Sequence, residues 1–243
     1  MNGTNKERSH SARRIQRSQR FYRLFPILVV ALVVFLFGFP VRAADPATIT
    51  FSLDFPKSDP ERYSLTVQSD GHAQYECSAR ISEESEDRET YQTEFTLTDA
   101  TRARIFDLAA QAHYFSGKID SGNRKLAFTG AKKLIYKDGQ RESSAAYNFS
   151  SLPAVQQLTT LFQSISATLE FGRRLAHDRR YQKLALDDEL KRMEDQTRLG
   201  ELIELQAVRP VLQEIHDDGS VMNVARARAQ RIMDTGNAPS ARH

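Results

Sequence analysis

YSLTVQSDGHAQYECSARI, residues 63–81, holds two alternating runs around a turn. Tyr63, Leu65 and Val67 are apolar before it; Ala73, Tyr75, Cys77, Ala79 and Ile81 are apolar after it. Period two means one buried face and one wet face, the mark of an antiparallel sheet. Loop length decides whether the two faces agree. A two-residue loop pairs Ser69 with His72 and sets Val67 against Gln74. A three-residue loop, Ser69 to Gly71, pairs Gln68 with His72; Val67 then meets Ala73, Leu65 meets Tyr75 and Tyr63 meets Cys77. Only the second register gathers the apolar side chains on one face. It predicts a type I turn with a G1 bulge and a left-handed Gly71. It also buries Cys77 as a structural thiol and leaves His72 wet.

The same alternation spreads outward. Ile49, Phe51, Leu53 and Phe55 form a strand before the hairpin. Ser82 to Arg88 is an acidic connector without the ligand spacing of a calcium loop, and Tyr91, Thr93, Phe95 and Leu97 form the next strand. Thr98 is the expected N-cap of a helix with Asp99 in its first turn. Ile105, Leu108, Ala109, Ala112 and Phe115 recur at helical spacing, and Ser116-Gly117 should stop that helix. Leu126 and Phe128 resume period two and continue through Gly130 to Leu134 and Tyr136. Asp138-Gly139 reads as a two-residue turn with Lys137 opposite Gln140. Phe128 would then face Phe149, and Gly130 would face Tyr147. Ser151 and Pro153 open a long helix with a stripe at Val155, Leu158, Leu161, Phe162, Ile165 and Leu169.

Charged helices follow. Asp187, Asp188 and Glu189 make an acidic first turn, with a stripe at Leu186, Leu190 and Met193. Pro210 is expected to kink a helix over 199–216, and Ser220 to cap one over 220–234. Arg226, Arg228 and Arg231 read as a solvated basic face. The helix pair at 199–234 is similar to a single HEAT-type repeat, through Val224, Arg226 and Ala229, with no second copy. The fold class is α+β: an antiparallel sheet of about six to seven strands packed by helices, then a C-terminal helical extension. The expected division is a leader at 1–43, the sheet domain at 44–170, the extension at 171–234 and a flexible tail at 235–243.

Residues 24–39, LFPILVVALVVFLFGF, carry no charge and follow a basic leader. Sixteen residues at about 1.5 Å each span roughly 24 Å, less than a ~30 Å hydrocarbon core. Val41-Arg42-Ala43 offers small residues where a signal peptidase cuts. The first reading is a signal cleaved after Ala43, leaving a periplasmic or extracellular protein. The second is an uncleaved inner-membrane anchor with the C-terminal domain outside. Residues 1–43 hold eight basic residues and one acid, so taking their +7 from the chain's +3 leaves −4. The basic character belongs to the leader, and no nucleic-acid partner is expected. Cys77 is the single cysteine, so no intrachain disulfide forms.

Sites for chemistry are scarce. His177, Asp178, His216, Asp217 and Asp218 invite a metal, yet none forms a His-x-His or His-Glu-x-x-His pattern. Gly130-Ala131-Lys132-Lys133 lacks the spacing of a phosphate loop, and Asn148-Phe149-Ser150 is a formal glycosylation sequon. No catalytic residue, metal ligand or cofactor is assigned. The plan resembles exported bacterial proteins of unknown function, in which a basic leader precedes a TITFSL-like strand and a Tyr/Gly hairpin. Here Ile49 to Leu53, Tyr63, Gly71 and Tyr75 carry the resemblance, over residues 44 to about 170. It implies no activity. The first expectation is a non-catalytic envelope module that binds a protein or another envelope component through the wet sheet face or the helical extension. The alternative is an envelope hydrolase with a site assembled from His113, Ser116, His177 and Asp178. A third makes the charged helices an oligomerisation element.

Overall fold

The computed structural model describes residues 45–56, 58–80, 88–123 and 125–237. The leader and the acidic connector up to residue 87 lie outside the described residues. Six strands form one antiparallel sheet: β1 Thr48–Asp54, β2 Arg62–Gln68, β3 His72–Arg80, β4 Arg88–Thr96, β5 Ala131–Lys137 and β6 Glu142–Tyr147. Their order across the sheet is β4-β3-β2-β1-β5-β6. Five α-helices accompany them: α1 Asp99–Gln111, α2 Pro153–Tyr181, α3 Leu186–Arg198, α4 Arg209–Asp217 and α5 Asn223–Asn237. This is the expected α+β fold with its last helices C-terminal.

The β2–β3 register follows from the apolar pattern. Tyr63 pairs with Cys77, Leu65 with Tyr75 and Val67 with Ala73, and Gly71 sits at φ +98°. Ile49, Phe51, Leu65, Val67, Ala73 and Tyr75 are all buried on the face this register creates. Helix α2 crosses that face from one side of the sheet toward the other. Its Thr159 meets Tyr147 of β6 through their hydroxyls, 2.6 Å apart. Phe162 stacks on Phe51 of β1 at 5.2 Å between ring centres. Ser166 reaches Tyr75 of β3, with 3.1 Å between hydroxyls. α2 continues unbroken past residue 170, carrying the chain from the sheet into the helical part. Residues from Asp45 onward form one compact unit.

The second hairpin departs from expectation by two residues. Lys137 pairs with Glu142, and Lys132, not Gly130, faces Tyr147. The loop is four residues long because the Asp138 carboxylate accepts the amide N–H of Gln140 at 2.8 Å and of Arg141 at 2.7 Å. β5 therefore begins at Ala131, and Leu126 and Phe128 lie outside the sheet. Gly130, at φ +99°, lets the chain pass β1: a Cβ there would lie 2.7 Å from Leu53 Cδ1 and 3.0 Å from Phe55 Cβ.

Other boundaries move for local reasons. Thr98 caps α1 as expected, but the α-helix stops at Gln111, before Ser116-Gly117. His113, Tyr114 and Phe115 then take left-handed φ of 50°, 52° and 66°. The turn buries Phe115 and sets Tyr114 against Tyr136, the rings tilted at 48° with 4.6 Å between their centres. Pro210 opens α4 rather than kinking it, since a missing N–H costs nothing in a first turn. Ser220 does not cap α5, which starts at Asn223; Asp218 holds the Ser220 amide and hydroxyl in a turn instead. α5 runs through Asn237, into the stretch assigned to the tail.

The arginines of α5 are not a free basic face. Arg228 donates to Asp187 and Glu194 of α3, both at 2.8 Å, and Arg231 donates to Glu194 at 2.7 Å. Ala225 and Ala229 of the same helix are buried. The Arg231 bond, ahead of that from Arg228, holds the Glu194 carboxyl below its ordinary 4.5. A carboxyl depressed in the folded state stabilises above its unfolded pKa, and that contribution disappears as pH falls through the folded value. Glu194→Gln should therefore lower stability by about 1 kcal/mol at neutral pH. The gap from wild type should close in urea titrations run at progressively lower pH, below about 4.

Candidate functional site

The most concentrated polar chemistry lies under the sheet. Positions 158, 162, 166 and 170 follow one another at i+4 along α2, so Ser166 and Glu170 share the core-facing stripe of Leu158 and Phe162. Glu170 is 3% exposed. Its Oε1 accepts the Tyr75 hydroxyl at 2.8 Å and the Cys77 thiol at 3.2 Å. Its Oε2 accepts Arg173 Nε at 2.9 Å, and Asp59 stands 3.8 Å from the same guanidinium. A buried charge survives only when paired and hydrogen-bonded, and this carboxylate is both. Burial first, and the Glu170 charge second, push the Cys77 thiol up to about 12. Burial likewise pushes the Tyr75 hydroxyl well up. These are held donors, neither nucleophile nor acid near neutral pH.

Three more buried ionisable groups are engaged in the same way. Glu204, with φ 61°, accepts the Thr98 amide at 2.8 Å and its hydroxyl at 2.7 Å, fixing the cap of α1 from the C-terminal half. Glu189 accepts Arg174 at 2.6 Å, and also Arg192. Lys132 places Nζ among oxygens only: Thr129 O at 3.0 Å, Thr129 Oγ1 at 2.9 Å, Gly130 O at 3.3 Å and Asn148 O at 3.0 Å. Burial lowers its pKa. The Asn148 side chain is itself occupied, accepting the Thr129 amide at 2.9 Å and donating to Ala127 O at 3.0 Å.

The residues proposed for a hydrolase are not brought together. His113 and Ser116 are exposed beside the turn whose Tyr114 carbonyl accepts Ser143 Oγ of β6. His177 and Asp178 lie toward the other end of α2, with Nδ1 3.3 Å from Oδ1. Thr159, the α2 residue bonded to β6, precedes His177 by about 27 Å of helix. Burial raises the Asp178 carboxyl. His216 faces the Arg226 carbonyl at 3.3 Å. Asp218 accepts Lys183 at 2.8 Å, and that bond holds its carboxyl well below the ordinary range. Among the described residues, no group of three or more His, Cys, Asp or Glu side chains could hold a metal ion.

The opposite sheet face presents polar atoms outward. Ser52, Arg62, Ser64, Glu76, Ser78 and Thr90 line a shallow, open depression of about 490 Å³. Cross-strand pairing builds it: Ser52 stands opposite Ser64, Ser64 opposite Glu76 and Ser78 opposite Thr90. Next to it Thr50 and Thr66 share a hydroxyl–hydroxyl bond of 3.0 Å, and Arg62 pairs with Asp54 at 2.8 Å. Short hydroxyls, one guanidinium and the carboxylates of Asp54 and Glu76 make a hydrogen-bonding surface with no nucleophile–base pair.

No protein-family model matches the chain, and no curated protein matches it either. The buried network of Glu170, Ser166 and Arg173 escaped sequence reasoning. Its signal is the α2 stripe itself, whose apolar residues give way to polar ones at core positions opposite Tyr75 and Cys77. The arrangement predicts a silent thiol. Cys77 in the native protein should resist a disulfide reagent at about pH 8 and react fully once unfolded in guanidinium, because only thiolate reacts; rapid native labelling in an absorbance assay would contradict it.

Proposed function

We propose that the protein is an exported or membrane-tethered envelope protein that acts as a non-catalytic binding module. Its open polar sheet face meets a protein or another envelope component. The observation that carries this reading is a contrast between inside and outside. Glu170, Glu189, Glu204 and Lys132 are all buried and bonded internally, so none is poised to move a proton for a substrate. The outer sheet face offers an array of hydroxyls beside Arg62 and Glu76 in an open depression. Such a surface suits recognition through many weak bonds. The separation of His113 and Ser116 from His177 and Asp178 leaves the hydrolase alternative without its constellation. Export rests on the basic leader and the uncharged run at 24–39; among the described residues no helix is long and apolar enough to cross a membrane.

Two measurements test the reading together. Mass spectrometry of the envelope fraction should find a mature N-terminus at Ala44, or the intact leader in the membrane pellet. Crosslinking followed by pull-down from that fraction should capture a partner whose recovery falls about tenfold with Ser64→Arg and Glu76→Arg, as expected for charge and bulk in an interface centre. Full-length protein soluble in the cytosol, or capture indifferent to both substitutions, would contradict it.

A further inference from the structure

Residues 125–130 hold apolar side chains out to solvent on a rigid frame. Phe128 is 57% exposed and Leu126 40%. Phe55, Phe149 and Leu152 are also exposed, and Phe55 meets Phe128 edge-on, 6.0 Å between ring centres. These residues gather where β1 ends, β5 begins and β6 ends. Loops that expose such residues by default are loosely held. Here the Lys132 ammonium is buried to bind the Thr129 and Gly130 carbonyls, and Asn148 grips the backbone of Ala127 and Thr129. A buried cation without a carboxylate partner is costly, yet it fixes a loop that buries neither Leu126 nor Phe128. That combination marks a surface built to be covered.

The charge around it selects the occupant. Lys118, Lys125 and Lys133 are exposed nearby. Asp54 is paired with Arg62 at 2.8 Å and Glu61 with Arg88 at 2.7 Å; Asp120, which accepts the amides of Asn148 at 2.8 Å and Gly122 at 2.6 Å, keeps its charge and leaves the three lysines in excess. A cationic rim repels a second copy of the same rim and attracts an anionic partner, although the domain as a whole is acidic. Protruding aromatic and aliphatic side chains beside exposed lysines match the boundary between lipid headgroups and acyl chains. We propose that residues 125–130, with Phe55, Phe149 and Leu152, form a docking surface for an anionic lipid bilayer. Leu126 and Phe128 enter the headgroup boundary while the lysines pair with lipid phosphates. The docking residues lie at the Asp54 end of β1, opposite the end at Thr48 where that strand begins. The inference takes only its setting, an envelope protein near a bilayer, from the function proposed above.

Vesicle flotation with residues 45–243 tests it, since the hydrophobic core closes within this unit. The protein should float with phosphatidylcholine vesicles containing phosphatidylglycerol, much less with pure phosphatidylcholine, and less as salt rises. Leu126→Ser with Phe128→Ser should weaken partitioning about tenfold or more, and Lys125→Glu should weaken it only on anionic vesicles. Because all three side chains are exposed, unfolding midpoints should stay unchanged, which separates lost docking from lost fold. Flotation unaffected by the double substitution, or absent on both vesicles, would overturn the proposal. So would a dimer by sedimentation that the double substitution dissolves, or an acidic protein that competes only for the native loop without any lipid binding. Cell fractionation reads export by itself, so failure of either idea is visible without the other.

Discussion

A buried carboxylate on α2 anchors the helix that links the two halves of this protein. Glu170 is the charged member of a row of polar residues on α2, with Thr159 and Ser166, that fixes the helix against an otherwise apolar sheet face. Hydrogen bonds to Tyr75 and Cys77 fix where α2 lies over β3. The bond to Arg173 keeps the charge tolerable in a dry interior. A pair broken on one side leaves an uncompensated charge, at about 3–5 kcal/mol, so the network resists piecemeal loss. From this anchor α2 runs onward to the turn at Val208, approaching closely enough that a Cβ on Gly172 would lie 2.5 Å from Val208 Cγ1. The C-terminal helices then pack against α2 and against one another, with Arg228 and Arg231 tying α5 to α3.

The same economy of charge bears on function. Among the described residues, Glu170, Glu204, Glu189 and Lys132 enter the interior, with Arg173 buried beside the first, and each of the four closes a gap between elements: α2 to β3, the N-terminus of α1 to the C-terminal half, α2 to α3, and the 125–130 loop to β6. Their polar atoms serve the fold. What remains for other molecules lies on the surface: a hydroxyl-rich sheet face and, adjoining it where β1 ends and β5 begins, an apolar end with lysines beside it. These two surfaces differ in chemistry, so the binding-module reading and the bilayer contact make separate demands on the chain.

Legibility in the sequence followed the reach of each determinant. The β2–β3 register was readable because a one-residue slip turns every apolar side chain to the wet face. The β5–β6 register was not, because a slip of two keeps every side chain on its own face; the Asp138 carboxylate makes the choice, and periodicity does not register it. That error also placed Leu126 and Phe128 in a strand, when they are the most informative exposed residues of the sheet's end. Pro210 fits both a kink and a first turn by sequence, and only packing separates them. The arginines of α5 looked solvated because Asp187 and Glu194 lie more than thirty residues upstream. Glu170 was nearly visible: a charged residue at a core position asks for a buried partner, and Tyr75 and Cys77 were already assigned to the facing strand.

A double-mutant cycle between Tyr75→Phe and Glu170→Leu, each of which removes the shared hydrogen bond, read by urea unfolding, tests the anchoring role most directly. A bond that positions α2 on the sheet predicts a coupling energy of about 1 kcal/mol or more. Effects that add to within about 0.5 kcal/mol, the behaviour of independent sites, would contradict it and leave the helix positioned by apolar packing and its hydroxyl contacts.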